Sequence, residues 1–379
     1  MKILHIITEL GDGGAEGVLY RLCMQDRRNT HVVVSLMDEG KYGPELTRAG
    51  ISVFSLDMPR GRISVRGLWR LWRFIRRTRP DLIQTWMYHA DLLGGVIARL
   101  AGRRRVFWGI RHTDLVPGRS ARTTIWAARI CARLSRVVPE RIICCAETAR
   151  QVHGAMGYDA GRMLVIPNGY DISRFSPDPT AGRKVRAELG IAENALSIGY
   201  VARYNSQKDH ETLLNALAIL KQRDSCPFCL LVGTGIEHSN TALASRIEAL
   251  HLTRFVYRLG RREDIPAIMN AIDIHVMSSS FGEAFPNVLA EAMACGTPCV
   301  ATDVGDASFI TGDTGLIVPT GDAEALADAI SSLLNERNTT EWEVRRERSR
   351  ARIAELFSME AMLKKFDGAW RAKSSGSTN

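Results

Sequence analysis

Residues 274–298 read IHVMSSSFGEAFPNVLAEAMACGTP, and the change of period inside this stretch decides the fold. It opens on an apolar run, Ile272, Ile274 and Val276, of the kind that forms a buried strand. Three serines and Gly282 break that run. From Phe285 the apolar positions recur at helical spacing through Val288, Leu289, Ala292 and Met293, until Gly296 and Pro298 stop the helix. Pro286 falls in the expected first turn, where its missing N–H costs nothing. A strand, a small-residue turn and a helix start make an anion site, because unpaired N–H groups and the helix dipole point outward. Glu283 lies at the helix mouth, and Glu291 follows after seven intervening residues. At about 1.5 Å per residue, Glu291 is expected roughly two turns deeper along the same helix. A diphosphate on the helix start would then have a carboxylate toward each end of a nucleoside diphospho-sugar, and ionised carboxylates accept from diols. Taken alone, each glutamate reads better as an ordinary solvated side chain on a capped surface helix.

The run FGEAFPNVLAEAMACGTPCVATDVG (281–305), followed by GDTGLIVPTGD (312–322), resembles the signature region of glycosyltransferase family 4. These are retaining glycosyltransferases of GT-B fold. The family pattern is Glu, usually Gly, Phe, Pro, Asn, a second Glu after seven residues, then an Ala-Met-Ala-x-Gly-x-Pro turn. Only Ala284 departs from it, standing where Gly is usual. The resemblance implies an α/β, GT-B architecture with two doubly wound Rossmann-like parallel-sheet domains facing across a cleft. It implies an acceptor-binding domain at 1–178, completed by a C-terminal helix at 357–373, and a nucleotide-sugar-binding domain at 183–356. It makes Glu283 catalytic, binding donor sugar hydroxyls near the anomeric carbon, and gives Glu291 the nucleoside ribose. Ala284, Phe285, Pro286 and Asn287 would hold the donor diphosphate.

Upstream, the second half of the chain restarts strand–helix alternation at 196–201, after the linker-like tract 176–182. Arg203 and Lys208 then stand on either side of a polar turn entering a helix with Leu213, Leu214 and Leu217. Two cations near a helix start suit a diphosphate, one by fork and one by point charge. The family holds the donor diphosphate with an Arg and a Lys at this place. Leu231–Gly235 is a strand-end glycine turn, and Gly260, Arg261 and Arg262 resemble the family loop beside the nucleobase. Residues 340–371 read as charged amphipathic helices, and 372–379 as a frayed tail.

The first half alternates candidate strands at 2–7, 31–36, 51–56, 81–85, 105–110, 141–145 and 163–166 with amphipathic segments. Such alternation implies a parallel, doubly wound sheet with ligands at the carboxyl ends of its strands. After the first strand, Gly11–Glu16 forms a glycine-rich turn whose dinucleotide fingerprint fails, because Glu16 stands where the third small residue belongs. It resembles the family's Gly-Gly-Ala-Glu loop, in which Gly13 and Gly14 would approach the donor diphosphate. His89 and the pair Arg111-His112 follow two other strands and fall at the same edge. The resemblance raises His112 as a second catalytic residue near the donor sugar; His89 and Arg111 are candidates for the acceptor.

Charge is unevenly distributed. Residues 1–180 carry 28 Lys+Arg against 16 Asp+Glu, whereas the rest carries 22 against 25. The first half is therefore expected to meet something anionic. Eight arginines and no acid lie between Arg60 and Arg79, interleaved with Leu68, Trp69, Leu71, Trp72, Phe74 and Ile75. That pattern suits either an anionic membrane surface or a core-facing helix with a solvated basic face. Arg99, Arg103, Arg104, Arg105, Arg119, Arg122, Arg129 and Arg133 add to the same half.

At 379 residues the chain is long enough for two domains. No apolar run approaches the 18 or so residues of a membrane span. MKILHIITEL has too short an apolar core for a signal peptide, so the protein is expected in the cytoplasm, either free there or peripheral on the inner face of the cytoplasmic membrane. Cys226-Pro-Phe-Cys229 has redox or zinc-site spacing, with Cys295 and Cys299 as further ligands, but it runs into an apolar strand with no following redox helix. No metal and no cofactor are expected: Asp-x-Asp is absent, and an Arg/Lys pair can do a divalent ion's work. The resulting expectation is a retaining, metal-independent transfer of a sugar, from a UDP-sugar by preference, to a saccharide or lipid-linked acceptor in surface polysaccharide synthesis. The competing readings are a GT-B nucleotide-sugar epimerase or phosphorylase, a nicotinamide-binding oxidoreductase, and an anionic-polymer or nucleic-acid-binding protein. The last lacks a recognisable nucleic-acid module, so no nucleic-acid partner is expected.

Overall fold

The computed structural model describes residues 1–59, 61–113, 115 and 121–372. Arg60 and Arg119 of the basic stretches, and residues 373–379 of the expected tail, lie outside them. The chain divides into two compact units, Met1–Gly169 together with the segment from Met359, and Tyr170–Ser358.

The first unit is built on β1 (Lys2–Ile7), β2 (Thr30–Ser35), β3 (Ser52–Ser55), β4 (Leu82–Trp86), β5 (Val106–Ile110), β6 (Arg141–Cys144) and β7 (Met163–Val165). They pair in the order β3-β2-β1-β4-β5-β6-β7, all parallel. The connecting helices are α1 (Gly14–Gln25), α2 (Tyr42–Arg48), α3 (Val65–Thr78), α4 (Tyr88–Leu100), α5 (Arg122–Leu134) and α6 (Glu147–Ala155). A parallel sheet is covered on both faces, so its inner strands are apolar throughout: every residue of β4 and β5 is buried. The edge strand β3 instead alternates, with Phe54 exposed.

The second unit contains β8 (Ser197–Val201), β9 (Phe228–Val232), β10 (Val256–Gly260), β11 (Ile274–Met277), β12 (Cys299–Thr302) and β13 (Leu316–Val318). Their order is β10-β9-β8-β11-β12-β13, again parallel throughout. Its helices are α7 (Pro179–Glu188), α8 (His210–Gln222), α9 (Thr241–Ala249), α10 (Ile265–Ala271), α11 (Asn287–Ala294), α12 (Ala307–Thr311), α13 (Ala323–Asn335) and α14 (Thr340–Leu356).

The final helix, α15 (Met359–Arg371), returns to the first unit. Its Met359, Met362, Phe366 and Trp370 share a core with Ile3, Ile7, Leu19, Trp86 and Phe107. Trp370 Nε1 donates to Gln84 Oε1 at 3.3 Å, satisfying two polar groups in the middle of that core.

The units part at Gly169/Tyr170, ahead of the 178–183 boundary expected from the linker-like tract. That tract is structured: Asp178 caps α7 by accepting from Ala181 N at 3.0 Å, and Pro179 sits in the first turn. Asp178 N also donates to Asn270 Oδ1 at 2.7 Å, so the tract belongs to the second unit. Among the described residues, no helix is long and apolar enough to cross a membrane.

Each sheet reverses its strand order once, between β1 and β4 and between β8 and β11. Such switch points open a crevice outside the carboxyl ends of the strands. The loops leaving those four strands carry most of the residues singled out from sequence.

Candidate active site

In the second unit the two switch-point loops are Ala202–Asp209, after β8, and Ser278–Pro286, after β11. The first ends in one tight helical turn, Ser206–Lys208, where the Asn205 side chain accepts from Lys208 N at 3.0 Å. The Lys208 carbonyl accepts from the Tyr200 hydroxyl, and from Ser278 Oγ at 3.3 Å. Asp209 adopts a left-handed φ of 47° and caps α8 by accepting from Thr212 N at 3.1 Å. Lys208 is therefore fixed at its backbone by groups from its own strand and from the neighbouring loop.

Its ammonium group pairs with the Glu283 carboxylate, which is only 9% exposed. Ser279 Oγ donates to the same Glu283 oxygen at 2.8 Å. The Glu283 loop is pinned from behind by Gly305, which has a φ of 62°. A Cβ there would lie 2.5 Å from the Glu283 carbonyl oxygen, so only glycine allows this approach. Asp306 N donates to the Ala284 carbonyl at 2.9 Å and closes the same contact.

The helix after this loop starts later than its periodicity suggests. Pro286 is the N-cap residue with an extended backbone, and α11 begins at Asn287. Ala284 and Phe285 lie in the turn, and Glu283 lies in the loop instead of at the helix mouth. Glu291 is the fifth residue of the eight-residue α11, about one turn in instead of two. The Phe285 ring stacks on Tyr170 at 6.2 Å and meets Phe357 edge-on at 5.4 Å, and Asn287 Oδ1 accepts from the Tyr170 hydroxyl. Packing within the unit holds both side chains, so what the start of α11 has to offer an anion is backbone N–H groups.

Arg203 is exposed and has no ion pair among the described residues. The β8 and β9 loops abut beside it, since a Cβ on Gly233 would lie 2.0 Å from the Ala202 carbonyl oxygen. Gly260 ends β10 with a φ of 62°. Arg262, placed beside the nucleobase by the family likeness, is bound to Glu188 and Asp264, each at 2.7 Å. These charge-assisted bonds raise its pKa and anchor the loop to α7, so its guanidinium is already engaged.

In the first unit, Gly13 is the N-cap residue of α1 and Gly14 its first residue. Gly13 has an ordinary φ of −118°, so space is what it supplies. The Glu16 carboxylate folds back to within 2.2 Å of where a Cβ would sit. Burial raises the Glu16 pKa, and Glu9 and Asp12 raise it further. An anion approaching this helix start has to displace that carboxylate.

His89 lies in the first turn of α4, half-buried, with its pKa lowered by burial. His112 follows β5, and its carbonyl accepts from the Tyr88 hydroxyl at 3.2 Å. The Arg111 guanidinium lies over Trp86 at 4.7 Å and over Phe366 at 5.8 Å, and Nη1 donates to Asn168 Oδ1 at 2.9 Å. Its Nε and Nη2 are buried without a hydrogen-bond partner among the described residues, and burial lowers its pKa. The three residues thus share the carboxyl edge of β4 and β5.

Sequence reasoning passed over Tyr200, Ser278 and Ser279, which hold Lys208 and Glu283. The signal was present in the three consecutive serines after an apolar strand, read only as a turn. It also passed over Asp91, buried at the start of α4, whose Oδ1 accepts from Thr85 Oγ1 at 2.5 Å and Gly109 N at 3.2 Å. Burial pushes this carboxyl up to about 8.

Among the described residues one group has metal-ligand chemistry, His5, Cys23 and His31, all buried. Its nitrogens form a chain: Trp86 Nε1 donates to His5 Nδ1 at 3.2 Å, the histidines meet at 2.9 Å, and His31 Nε2 meets Asp26 at 3.2 Å. That chain satisfies the imidazoles without an ion, and burial raises the Cys23 thiol pKa. Cys226 and Cys295 are likewise free, their thiols pushed up to about 12 by burial.

Comparison with known proteins agrees with this geometry. Residues 12–174 match Glycosyltransferase Family 4, and residues 195–336 match Glycosyl transferases group 1. A putative glycosyltransferase, EpsF of Bacillus subtilis (strain 168), is 30% identical over 315 residues, covering 80% of this chain and 79% of EpsF. The chain belongs to glycosyltransferase family 4. It is a glycosyltransferase, and its two parallel-sheet units are those of the GT-B fold. Another family-type relative is the UDP-Gal:alpha-D-GlcNAc-diphosphoundecaprenol alpha-1,3-galactosyltransferase of Escherichia coli, 23% identical over 281 residues, covering 72% of this chain and 71% of that enzyme. Among solved structures, Anabaena Alr3699/HepE in complex with UDP superposes with a TM-score of 0.84 at 25% identity, covering 97% of this chain and 99% of that one. The same protein is also known in complex with UDP-glucose.

Proposed function

We propose that this glycosyltransferase moves a sugar from a UDP-sugar to a saccharide acceptor carried on a lipid diphosphate, with retention at the anomeric carbon and without a divalent metal. The observation that carries this reading is the convergence of Lys208 and Glu283 from the two switch-point loops of the second unit, beside Arg203 and the start of α11. The UDP and UDP-glucose bound to HepE support the donor, and the diphosphoundecaprenol substrate named for the E. coli enzyme supports the acceptor class.

The barrier lies in breaking the bond between the anomeric carbon and the diphosphate oxygen. Negative charge grows on that oxygen, and Lys208, Arg203 and the first N–H groups of α11 are fixed electrostatic partners for it. The anomeric carbon becomes oxocarbenium-like. Glu283, held by Lys208 and Ser279, is placed to accept from sugar hydroxyls rather than to attack, so retention follows from attack on the face the diphosphate leaves. The acceptor oxygen bonds to the anomeric carbon, and its proton passes to the departing diphosphate. Glu291 takes the ribose, and the family likeness assigns Gly13, Gly14 and His112 to the donor. A lipid-linked acceptor places the enzyme on the inner face of the cytoplasmic membrane, with the basic helix within 60–79 as its contact.

Thermal stabilisation across a panel of nucleotide-sugars, with and without EDTA, tests this for wild type and Glu291→Ala. Specific binding raises Tm by mass action. A rise with one UDP-sugar, indifferent to EDTA and lost in the variant, is the expected result. A rise that EDTA abolishes would overturn metal independence, and no rise with any member would overturn the donor.

A further inference from the structure

Helices α3, α4 and α5 lie side by side on the first unit's sheet, with α4 packed against both neighbours. Their outward side chains follow one pattern. On α3, Val65, Trp69, Trp72 and Arg76 are exposed at three- and four-residue spacing, Trp69 by 54%. Arg73 lies over the Trp69 ring at 5.4 Å and Arg76 over the Trp72 ring at 5.8 Å. On α5 the exposed stripe is Arg122, Trp126, Arg129 and Arg133, with Trp126 exposed by 66%, and the exposed Arg136 follows just beyond the helix end. Neither helix contains an acid, and none of these α5 arginines has an ion pair among the described residues. Arg129, Arg133 and Arg136 line one cavity of about 490 Å³ with Met156 and Gly157.

Between the two stripes runs α4. Gly94 and Gly95 let it lie close on the sheet, since a Cβ would come within 3.0 Å of Ile6 or 2.5 Å of Trp108. Its outward residues Leu93, Val96 and Ile97 are half-buried, and Leu100 is 69% exposed. Its one acid, Asp91, is buried. The layer is therefore an apolar strip between two ridges that combine indole rings with guanidinium groups that have no ion pair among the described residues. A solvated basic face explains the arginines but not three exposed tryptophans and an exposed leucine on the same layer.

We infer that the outer face of the α3–α4–α5 layer docks onto an anionic lipid bilayer, with Trp69, Trp72 and Trp126 in the interface and the flanking arginines on headgroup phosphates. Charge complementarity selects this occupant: indole rings favour the headgroup level, and each arginine near an anionic surface adds to the attraction. The face extends beyond the 60–79 helix to a second anchor on α5. Trp69 and Trp126 each occupy the fifth position of their helices. Those helices run antiparallel to the strands, so both rings lie toward the carboxyl edge that carries His89, Arg111 and His112. Docking in this way presents that edge to the bilayer, and this purpose rests on the lipid-linked acceptor proposed above.

The test is flotation of the full chain with vesicles of phosphatidylcholine alone and of phosphatidylcholine mixed with phosphatidylglycerol. The variants are Trp126→Ala/Arg129→Glu/Arg133→Glu on α5 and Trp69→Ala/Arg73→Glu on α3, with Tm as the folding control. Flotation with the mixed vesicles only, weakened at least about tenfold by either variant at unchanged Tm, is the expected result. Absence of flotation, or flotation that the α5 variant leaves intact, overturns the inference; a surface that seats a protein gives the former. Donor-induced stabilisation measured in parallel keeps the two proposals apart: it persists if only docking fails, and it disappears without loss of flotation if only the donor reading fails.

Discussion

Lys208 and Glu283, 75 residues apart, form an ion pair in which both side chains are largely buried, and Ser279 donates to the same carboxylate. The pair closes the switch point of the second sheet, because each partner rides on the loop of a different central strand. Removing one partner strands the other charge in a water-poor site. Lys208→Ala and Glu283→Ala are each expected to cost about 2–3 kcal/mol, short of the loss for a fully buried pair. The double variant is expected to cost clearly less than the two losses added, by about 1–2 kcal/mol. Denaturant titration of the four proteins measures this coupling. Strict additivity would mean that the pair does not hold the loops.

Arg203 offers the contrast, since it is exposed and makes no ion pair among the described residues. Arg203→Ala should leave stability within about 0.5 kcal/mol, while donor transfer falls through lost diphosphate contacts. Lys208→Ala should lose about 10²–10³ in kcat together with stability. An Arg203→Ala protein with unchanged kcat/KM for the donor would remove that residue from the diphosphate site.

Much of this was legible in the chain because parallel sheets write themselves as apolar runs. All seven strands of the first unit lie within a residue or two of the segments read from periodicity. Glu283 and Lys208 were singled out only through the family resemblance, since taken alone each reads as an ordinary solvated charge. What escaped is non-local. Periodicity cannot see that Pro286 is extended, so the helix start and the depth of Glu291 were misplaced. Nothing in the tract 176–182 reveals that Asn270, about ninety residues later, receives Asp178 N and draws the tract into the second unit. Arg262 reads as a free cation until Glu188 is brought beside it.

Asp91 makes the stability of the first unit depend on pH. Its carboxyl is pushed up to about 8 by burial, whereas in the unfolded chain it titrates near the usual carboxylate value of about 4. Between those values the native state holds a proton that the unfolded state has lost. The contribution is therefore fully present below about pH 4 and is lost as pH rises toward 8. Asp91→Asn keeps the acceptor for Thr85 Oγ1 and Gly109 N and removes the titration. The expected outcome is a Tm that falls for wild type between pH 5 and 8, and falls less for the variant. Parallel pH–Tm curves would show that Asp91 does not titrate in this window.

Met87, the N-cap residue of α4, has φ 72° and ψ 156°, a region occupied almost solely by glycine. Two backbone bonds hold it there: Met87 N donates to the Gly109 carbonyl at 2.9 Å, and its own carbonyl accepts from Asp91 N at 2.8 Å. The turn it forms sets the entry of Tyr88 and His89 at the carboxyl edge of β4. Strain of this kind costs about 1–3 kcal/mol, against a glycine penalty of about 0.5–1 kcal/mol in the unfolded chain. Met87→Gly is therefore expected to gain about 1 kcal/mol in denaturant titration, whereas Met87→Ala, which keeps a Cβ, gains nothing. If glycine destabilises as much as alanine does, the side chain's packing outweighs the backbone strain, and the turn is held by Met87 rather than in spite of it.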